Sequence, residues 1–345
     1  MKFNFSNLTI VAALMLACLC PSKNGFAAES SDVVIRAALD IGSGATKLRV
    51  AEINTKTQKI EKVLVNVSMA VPYQEKLELS KDQAFDEELI EEGLNAIKDS
   101  LRIANEFHAE KMVGIATASF RKAVNAQDFI ERIKRETGVE VHIIDQGLEG
   151  ELAFEAVKSQ VDVAPENLVV WDIGGGSLQL TTMDKDGSLQ VYRSVEASVP
   201  FKNYIIQNIQ LRNITEYRTP NPMDHRDMQQ AEHKAKRIAA KVDSYFKEKV
   251  SNPQNLVVGV GNIFSIRIQP LVDNKASFSL AELANKVSEL AHLSDEDVGN
   301  DSFANVGISN PILILGYMKQ LGIQNMEILD VNNADGAMLF PPFWE

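Results

Sequence analysis

The chain has 345 residues, of which 45% are apolar and 24% are charged, and its formal net charge at pH 7 is −12. This composition is that of an ordinary globular protein, and the length favours two domains because a single core usually stops growing below it. The acidic balance and the lack of a long Lys/Arg run exclude a generic nucleic-acid surface. A small phosphate ligand stays compatible, because backbone N–H groups and a few local cations can hold one.

Residues 1–27 are predicted to be a signal peptide. Lys2 precedes the apolar run LTIVAALMLACLC at 8–20, which is too short to span a bilayer, and the small residues that follow offer cleavage after Ala27. We therefore expect an exported protein, periplasmic in a Gram-negative source, with no stable membrane insertion after cleavage. Lipidation at Cys18 is the alternative. Both cysteines lie in this leader, so the mature chain should have no disulfide, catalytic thiol or cysteine metal site.

The first half of the mature chain predicts alternating strands and helices. An apolar strand at 33–39 ends at Asp40, and an alternating strand at 46–53 follows a glycine turn. The next predicted elements, in order, are a helix at 87–107, a strand at 112–116, a helix at 126–137, a strand at 139–144 and a helix at 150–158.

The second half opens in the same way. The strand NLVVWD at 167–172 is followed by three glycines and the strand SLQLTTM at 177–183. The remaining predicted elements are a helix at 227–250, a strand with a glycine turn at 255–262, helices at 280–292 and 311–320, and a strand at 326–331. Because both halves begin with a strand, an Asp-Ile-Gly turn and a strand, the chain reads as an internal duplication.

The glycine turns at 42–44 and 174–177 carry the chemistry that the sequence suggests. Both lead into strands, which excludes the P-loop and the dinucleotide fingerprint because those motifs lead into helices. A hairpin with exposed N–H groups can bind an anion, and the Asp beside it can hold a cation. Two such hairpins facing each other across a cleft would hold one chain of phosphates from both sides.

Four motifs stand in one order along the chain. They are DIGS at 40–43 with Lys47 and Leu48, ATASFR at 116–121 with Asn125, GLEG at 147–150 before Leu152, Ala153 and Phe154, and DIGGGS at 172–177. From about residue 33 to 338 the chain thereby resembles the exopolyphosphatase and guanosine-pentaphosphate phosphatase family, within the actin-like ATPase and sugar kinase superfamily. The resemblance implies two α/β domains of the actin-like (ribonuclease H-like) kind, each a mixed sheet with flanking helices, and a cleft between them. The domains are expected at 33–160 and 165–345, with the C-terminal segment able to pack back on the first.

The resemblance and the chemistry of phosphoanhydride hydrolysis together imply roles for these residues. Glu149 should deprotonate the attacking water, and Asp40 and Asp172 should hold Mg²⁺ or another divalent cation. Arg121 should contact phosphate bidentately, and it joins Glu149 and Asp172 as a predicted catalytic residue. The predicted phosphate-binding residues are Gly42, Ser43, Gly44, Lys47, Asn125, Gly174, Gly175, Gly176 and Ser177. Taken singly, Arg121, Lys47 and Glu149 are also compatible with purely structural roles.

The chain departs from the family pattern at several positions. Gly44 and Ala45 stand where the family has Asn and then Ser or Thr, and Gln179 stands where it has Glu. The family's late Gly-Gly-Thr turn is replaced at 261–263, and an Arg near the C-terminus is replaced around Ala334. The neutral Gln179 should weaken Mg²⁺ binding. Ala45 lacks the hydroxyl that would donate to phosphate, and loss of one such preorganised contact typically costs about 3 kcal/mol in the transition state.

The predicted function is an exported Mg²⁺-dependent hydrolase of terminal phosphoanhydride bonds. Inorganic polyphosphate is the first expected substrate and guanosine pentaphosphate the second, because guanosine alarmones are cytosolic. One alternative is a polyphosphate-binding or nucleotide-binding protein that has lost turnover. Another is a sugar kinase or actin-like ATPase, for which Asn262 and Ile263 make a poor adenosine pocket. A homodimer is compatible with all of these.

Overall fold

In the computed structural model of the protein, the described residues are 32–299 and 301–345. The predicted leader, with Cys18 and the cleavage position after Ala27, lies outside the described residues. Residues Val33–Glu345 form one compact unit that contains two sheets. In the described part of the chain, no helix combines the length and the apolar character that crossing a membrane would need.

The first sheet has five strands in the order β3-β2-β1-β4-β5. Its strands are β1 (Val33–Ile41), β2 (Ala45–Asn54), β3 (Lys59–Ala70), β4 (Lys111–Ala116) and β5 (Glu140–Ile143). The first three form an antiparallel meander, and β4 and β5 run parallel to β1. The accompanying helices are α1 (Tyr73–Leu79), α2 (Glu87–Glu106), α3 (Ala118–Lys122) and α4 (Ala126–Thr137).

The second sheet repeats this arrangement. Its strands are β6 (Leu168–Ile173), β7 (Leu178–Met183), β8 (Leu189–Ser194), β9 (Leu256–Val260), β10 (Ser277–Ser279) and β11 (Asn325–Leu329). The order is β10-β11-β9-β6-β7-β8, with β6 to β8 antiparallel and β9 and β11 parallel to β6. Apart from the added edge strand β10, this is the order of the first sheet, which agrees with an internal duplication.

The other helices connect and cover the second sheet. They are α5 (Gln146–Lys158), α6 (Ser198–Tyr204), α7 (His225–Ala239), α8 (Ser244–Ser251), α9 (Gln269–Leu271), α10 (Leu280–Ser288), α11 (Ser309–Leu321) and α12 (Asn333–Leu339). The single helix predicted at 227–250 was wrong, because Asp243 accepts from the Phe246 N–H and begins a new helix there. The glycine turn predicted at 255–262 ends β9, and Gly261 at φ 84° starts a π-helical segment, Ile263–Ile268.

The helices α5 and α12 cross between the two sheets. Helix α5 packs on β6, β7 and β8, and α12 packs on β1, β2 and β4. The C-terminal segment therefore lies on the first sheet, where Ala334, Met338 and Phe343 join its core. A buried ion pair between Arg49 Nε and Asp335 Oδ2, 3.2 Å apart, ties α12 to β2. This crossing brings the first turns of α5 and α12 to one cleft.

Candidate functional site

The two glycine turns are closed by the same hydrogen bond. The Gly42 N–H donates to the Ala45 carbonyl at 2.9 Å, and the Gly174 N–H donates to the Ser177 carbonyl at 2.9 Å. Both turns connect antiparallel strands, as the sequence predicted.

A short helix donates a hydrogen bond to one carbonyl of each turn. The Gln74 N–H of α1 donates to the Ser43 carbonyl at 2.8 Å, and the Val199 N–H of α6 donates to the Gly175 carbonyl at 2.8 Å. In these turns, the N–H groups of Ser43, Gly44, Gly175 and Gly176 donate to no acceptor within the described residues. The two turns thus offer N–H groups of the kind that bind anions in other proteins.

The turns meet across one cleft of about 360 Å³. A Cβ added at Gly175 would lie only 2.7 Å from Ser43 Cβ, so the turns approach closely. The predicted phosphate-binding residues in the cleft lining are Gly42, Ser43, Gly44, Lys47, Gly174, Gly175 and Ser177. Gly176 is buried behind its turn, where a Cβ would lie 2.6 Å from the Gln74 Oε1 atom.

Three buried carboxylates line the same cleft. They belong to Asp40 at the end of β1, Asp172 at the end of β6 and Glu149 in the first turn of α5. The Lys47 Nζ atom lies 2.8 Å from Asp40 Oδ2, and the Asn333 Nδ2 atom donates to Asp172 Oδ2 at 2.9 Å. Both bonds use Oδ2, so within the described residues each Asp keeps its Oδ1 for another ligand.

Glu149 is held by three donors. The Arg121 Nη2 atom lies 2.8 Å from Oε2, Gln179 Nε2 donates to Oε2 at 3.0 Å, and Ser177 Oγ donates to Oε1 at 3.1 Å. Arg121 also donates to the Ile144 carbonyl at 2.8 Å, and its side chain is not part of the cleft lining. The structure therefore places Arg121 on Glu149, where the sequence had predicted a bidentate contact with phosphate.

Burial and neighbouring charges shift the pKa values of these groups. Desolvation raises the pKa of Glu149 to about 7, with Asp172 and Asp40 adding to the rise and Arg121 opposing it. Desolvation likewise raises the pKa of Asp172 to about 6. Burial lowers the pKa of Lys47, but its pairing with Asp40 and the charge of Asp172 outweigh burial and raise it overall. A base whose pKa lies near neutrality is suited to accept a proton from water.

The raised pKa of Glu149 predicts how stability depends on pH. Between the unfolded value of 4.5 and the folded value of about 7, the native state binds more protons than the unfolded state. Without divalent cations, the free energy of unfolding of the wild type should therefore fall relative to Glu149→Gln as pH rises through this window, and stay level above it. Urea unfolding of both proteins from pH 5 to pH 8 measures the difference. A difference that does not change with pH would contradict the prediction.

Gln179 is placed against Glu149 and its amide donates to that carboxylate. Gln179→Glu introduces the Glu that the family pattern described above has at this position. It also places two carboxylates side by side, which raises their pKa values. We expect kcat/KM at pH 7 to fall about tenfold and the acid limb of the pH profile to move upward. A pH profile at saturating Mg²⁺ measures this. Higher activity at limiting Mg²⁺ would show that position 179 serves the cation instead.

Asn125 lies away from the cleft lining. Its Oδ1 accepts from the Phe85 N–H at 2.9 Å and its Nδ2 donates to the Phe85 carbonyl at 2.9 Å. Both the oxygen and the nitrogen of the Asn125 amide are therefore hydrogen-bonded to the backbone just before α2 begins. The predicted phosphate contact is replaced by this structural one, because the loop that carries Asn125 packs beside Phe85.

Sequence reasoning missed many residues of the cleft lining, and three of them connect parts of the site. Asn333 contacts Asp172, and Phe303 lies 3.6 Å from a Cβ built at Gly44. Asn305 donates to Glu75 Oε2 at 3.1 Å and links the second half of the chain to α1. No local motif marks these residues. The one available signal was the Asn332 and Asp335 capping pattern, which indicates a helix start but no site.

The charges of the cleft fit a bound divalent cation. Within the described residues, no three His, Cys, Asp or Glu side chains are arranged to hold a metal ion by themselves. Mg²⁺ usually binds through one or two carboxylates and completes its shell with water and phosphate. The acidic residues in the lining are Asp40, Glu75, Glu92, Glu149 and Asp172, and the basic ones are Lys47 and Arg267. This excess of negative charge would repel a phosphate chain unless a cation accompanied it.

Comparison with known proteins identifies the fold. The structure matches that of the Aquifex aeolicus Ppx/GppA family member with a TM-score of 0.68 and 20% identity, covering 89% of this chain and 97% of that one. An exopolyphosphatase from Cytophaga hutchinsonii matches with a TM-score of 0.68 and 19% identity, covering 88% and 97%. The predicted pair of mixed sheets in an actin-like fold is confirmed.

Sequence comparison identifies the family. A bifunctional 3-dehydroquinate synthase/phosphatase of Fusobacterium nucleatum is 28% identical over 158 residues, which are 44% of this chain and 24% of that protein. This chain therefore matches about a quarter of that relative's length. The Ppx/GppA phosphatase family model matches residues 50–263, which is more than half of the chain. The chain therefore belongs to the Ppx/GppA phosphatase family.

Proposed function

We propose that the protein is an exported exopolyphosphatase that releases terminal phosphate from inorganic polyphosphate with Mg²⁺, and that guanosine pentaphosphate is its second-ranked substrate. One observation carries this proposal. Two acid-plus-glycine turns meet at one cleft, and the Glu149 carboxylate lies in the lining of that cleft. The cleft therefore offers anion-binding groups and a general base in one place.

Substrate binding would use the two turns. Non-bridging phosphate oxygens would accept hydrogen bonds from the N–H groups of Ser43 and Gly44 on one turn and of Gly175 on the other. Lys47 adds a positive charge to the lining. Because the turn carbonyls are fixed by α1 and α6, these amides need no rearrangement on binding, which favours charge stabilisation in the transition state.

Asp40 and Asp172 would hold the divalent cation. When bound, Mg²⁺ neutralises the charge that develops on the phosphate oxygens during transfer. Lys47 keeps the Asp40 carboxylate oriented, since its Nζ atom lies 2.8 Å from Oδ2.

Glu149 would act in the chemical step. It accepts a proton from a water molecule as the water oxygen forms a bond to the terminal phosphorus and the phosphoanhydride P–O bond breaks. Arg121, Ser177 and Gln179 hold the carboxylate in place, so they position the base rather than contact the phosphate. Desolvation by the surrounding protein raises the pKa of Glu149 to about 7, which makes it a stronger base than an exposed carboxylate.

Export is proposed from the leader at residues 1–27. The apolar run at 8–20 and the small residues before Ala28 support cleavage by a signal peptidase. N-terminal sequencing of the protein recovered from the exported fraction should begin at Ala28. A lipid-modified N-terminus at Cys18 would instead support the lipoprotein alternative.

Phosphate release by the purified protein tests the proposed activity. With Mg²⁺, we expect release from inorganic polyphosphate to exceed release from guanosine pentaphosphate and from ATP. A panel of polyphosphate lengths, with tripolyphosphate as the shortest, shows which chains are used. Binding of polyphosphate without release would favour the binding-protein alternative, and a preference for ATP would favour an ATPase.

A further inference from the structure

Asn333 connects the C-terminal helix to the acid of the second glycine turn. Its Nδ2 donates to Asp172 Oδ2 at 2.9 Å across 161 positions of sequence. The Asn333 side chain is buried, with 5% of its surface exposed, and it lines the cleft. Chemistry sets the orientation of the amide, because the reverse orientation would place its carbonyl oxygen against a carboxylate oxygen.

The other end of the Asn333 amide has no partner. Its Oδ1 is buried and forms no hydrogen bond with any described residue. A buried polar atom without a partner costs free energy unless water or a ligand satisfies it. Since Asn333 lies beside Asp172 in an acidic cleft, a hydrated cation is the partner that best fits this oxygen. Amide carbonyl oxygens are ordinary partners of hard cations and of their waters.

Hydrogen bonds hold the backbone on both sides of Asn333. Asn332 Oδ1 accepts from the Ala334 N–H at 2.9 Å, and Asp335 Oδ2 accepts from the Asn332 N–H at 2.8 Å. Asp335 also pairs with Arg49 of β2. The backbone at Asn333 is therefore held before any ligand binds, which is the condition for a side chain to orient a cation ligand.

We infer that Asn333 is a positioning residue for the divalent cation: Nδ2 fixes the Asp172 carboxylate, and Oδ1 accepts a hydrogen bond from the cation's hydration shell. This rests on the proposed function, in which Asp40 and Asp172 hold the cation. Asn333 lies outside all four sequence motifs. It supplies a neutral oxygen near the cation, whereas Gln179 contacts Glu149 through Nε2 and keeps its own buried Oε1 without a partner among the described residues.

Cation binding by Asn333 variants tests the inference without an activity readout. Mn²⁺ is the probe, measured by electron paramagnetic resonance on the purified full-length protein, with Mg²⁺ as competitor. Asn333→Leu removes donor and acceptor at similar volume, and we expect Mn²⁺ and Mg²⁺ affinities to fall about tenfold. Asn333→Ala, which removes the same groups without adding bulk, should show the same loss. Asn332→Ala is the matched control, because it removes one capping bond but leaves the bond from the Asn332 N–H to Asp335, the Asp335–Arg49 pair that holds this backbone, and the bond to Asp172.

The outcomes separate this inference from the proposed function. Loss in both Asn333 variants but not in Asn332→Ala, with unchanged cation-free melting of the Asn333 variants, supports the inference. Unchanged affinity in a folded Asn333 variant, or an equal loss in Asn332→Ala, overturns it, while phosphate release by the wild type keeps the proposed function standing. No Mn²⁺ or Mg²⁺ binding by the wild type overturns the inference together with the cation of the proposed function.

Discussion

Replacing Glu149 by Gln is expected to lower phosphate release from polyphosphate by about 10³-fold, because the amide cannot accept a proton from the attacking water. The replacement is nearly isosteric, so the cleft keeps its shape. A phosphate-release assay at saturating polyphosphate and Mg²⁺ measures the change in kcat. Polyphosphate affinity should be retained or improved, since the variant removes a negative charge from the cleft lining.

Glu151→Gln is the control for this experiment. Glu151 lies two residues further along α5 and outside the cleft lining, so its replacement should change kcat by no more than about twofold. Turnover by Glu149→Gln close to that of the wild type would show that another group deprotonates the water. Binding without release by both the wild type and the variant would instead point to a protein that has lost turnover.

Replacing Gly336 by Ala is expected to lower the free energy of unfolding by about 3 kcal/mol. A Cβ at this position would lie 2.0 Å from the Leu152 carbonyl oxygen, where α12 crosses α5. The clash involves backbone on both sides, and neither helix can move freely because each packs on a different sheet. Urea unfolding followed by circular dichroism measures the loss. The variant should also lose activity, since Glu149 and Asn333 lie on these two helices.

Gly187→Ala separates the steric effect from the cost of changing a glycine. Gly187 lies in a turn at φ 85° with no atom within 4 Å of an added Cβ, so the change there costs only backbone strain, about 1 kcal/mol. A loss at Gly336 no greater than the loss at Gly187 would contradict the close crossing of α5 and α12.

Local pattern was sufficient for the elements that frame the cleft. The helix predicted at 126–137 is α4, and the one predicted at 87–107 is α2 to within one residue, because apolar residues at helical spacing and capping residues are local signals. The two strand-turn-strand units were also predicted, since an apolar strand that ends in Asp and glycine is visible without any knowledge of packing.

Other elements were missed because their pattern is weak. Strand β3 is the longest strand of the first sheet, but it lies at the edge and begins with the exposed charged residues Lys59, Glu61 and Lys62. These charged residues interrupt the apolar alternation at the start of the strand, although it is present from residue 65 to residue 69. The short helices α1 and α6, of seven residues each, likewise lack the length over which a helical period becomes visible.

The amino-acid sequence by itself determined the duplicated sheets, the two acid-plus-glycine turns and the identity of the three acids, because these depend on residues adjacent in the chain. Only the tertiary structure decided what each side chain contacts. In the folded chain, Arg121 and Gln179 contact the Glu149 carboxylate. Asn125 is hydrogen-bonded to the Phe85 backbone, and Asn333 is hydrogen-bonded to Asp172. Such contacts join residues far apart in sequence, and they follow from how helices cross and pack, which no local pattern encodes.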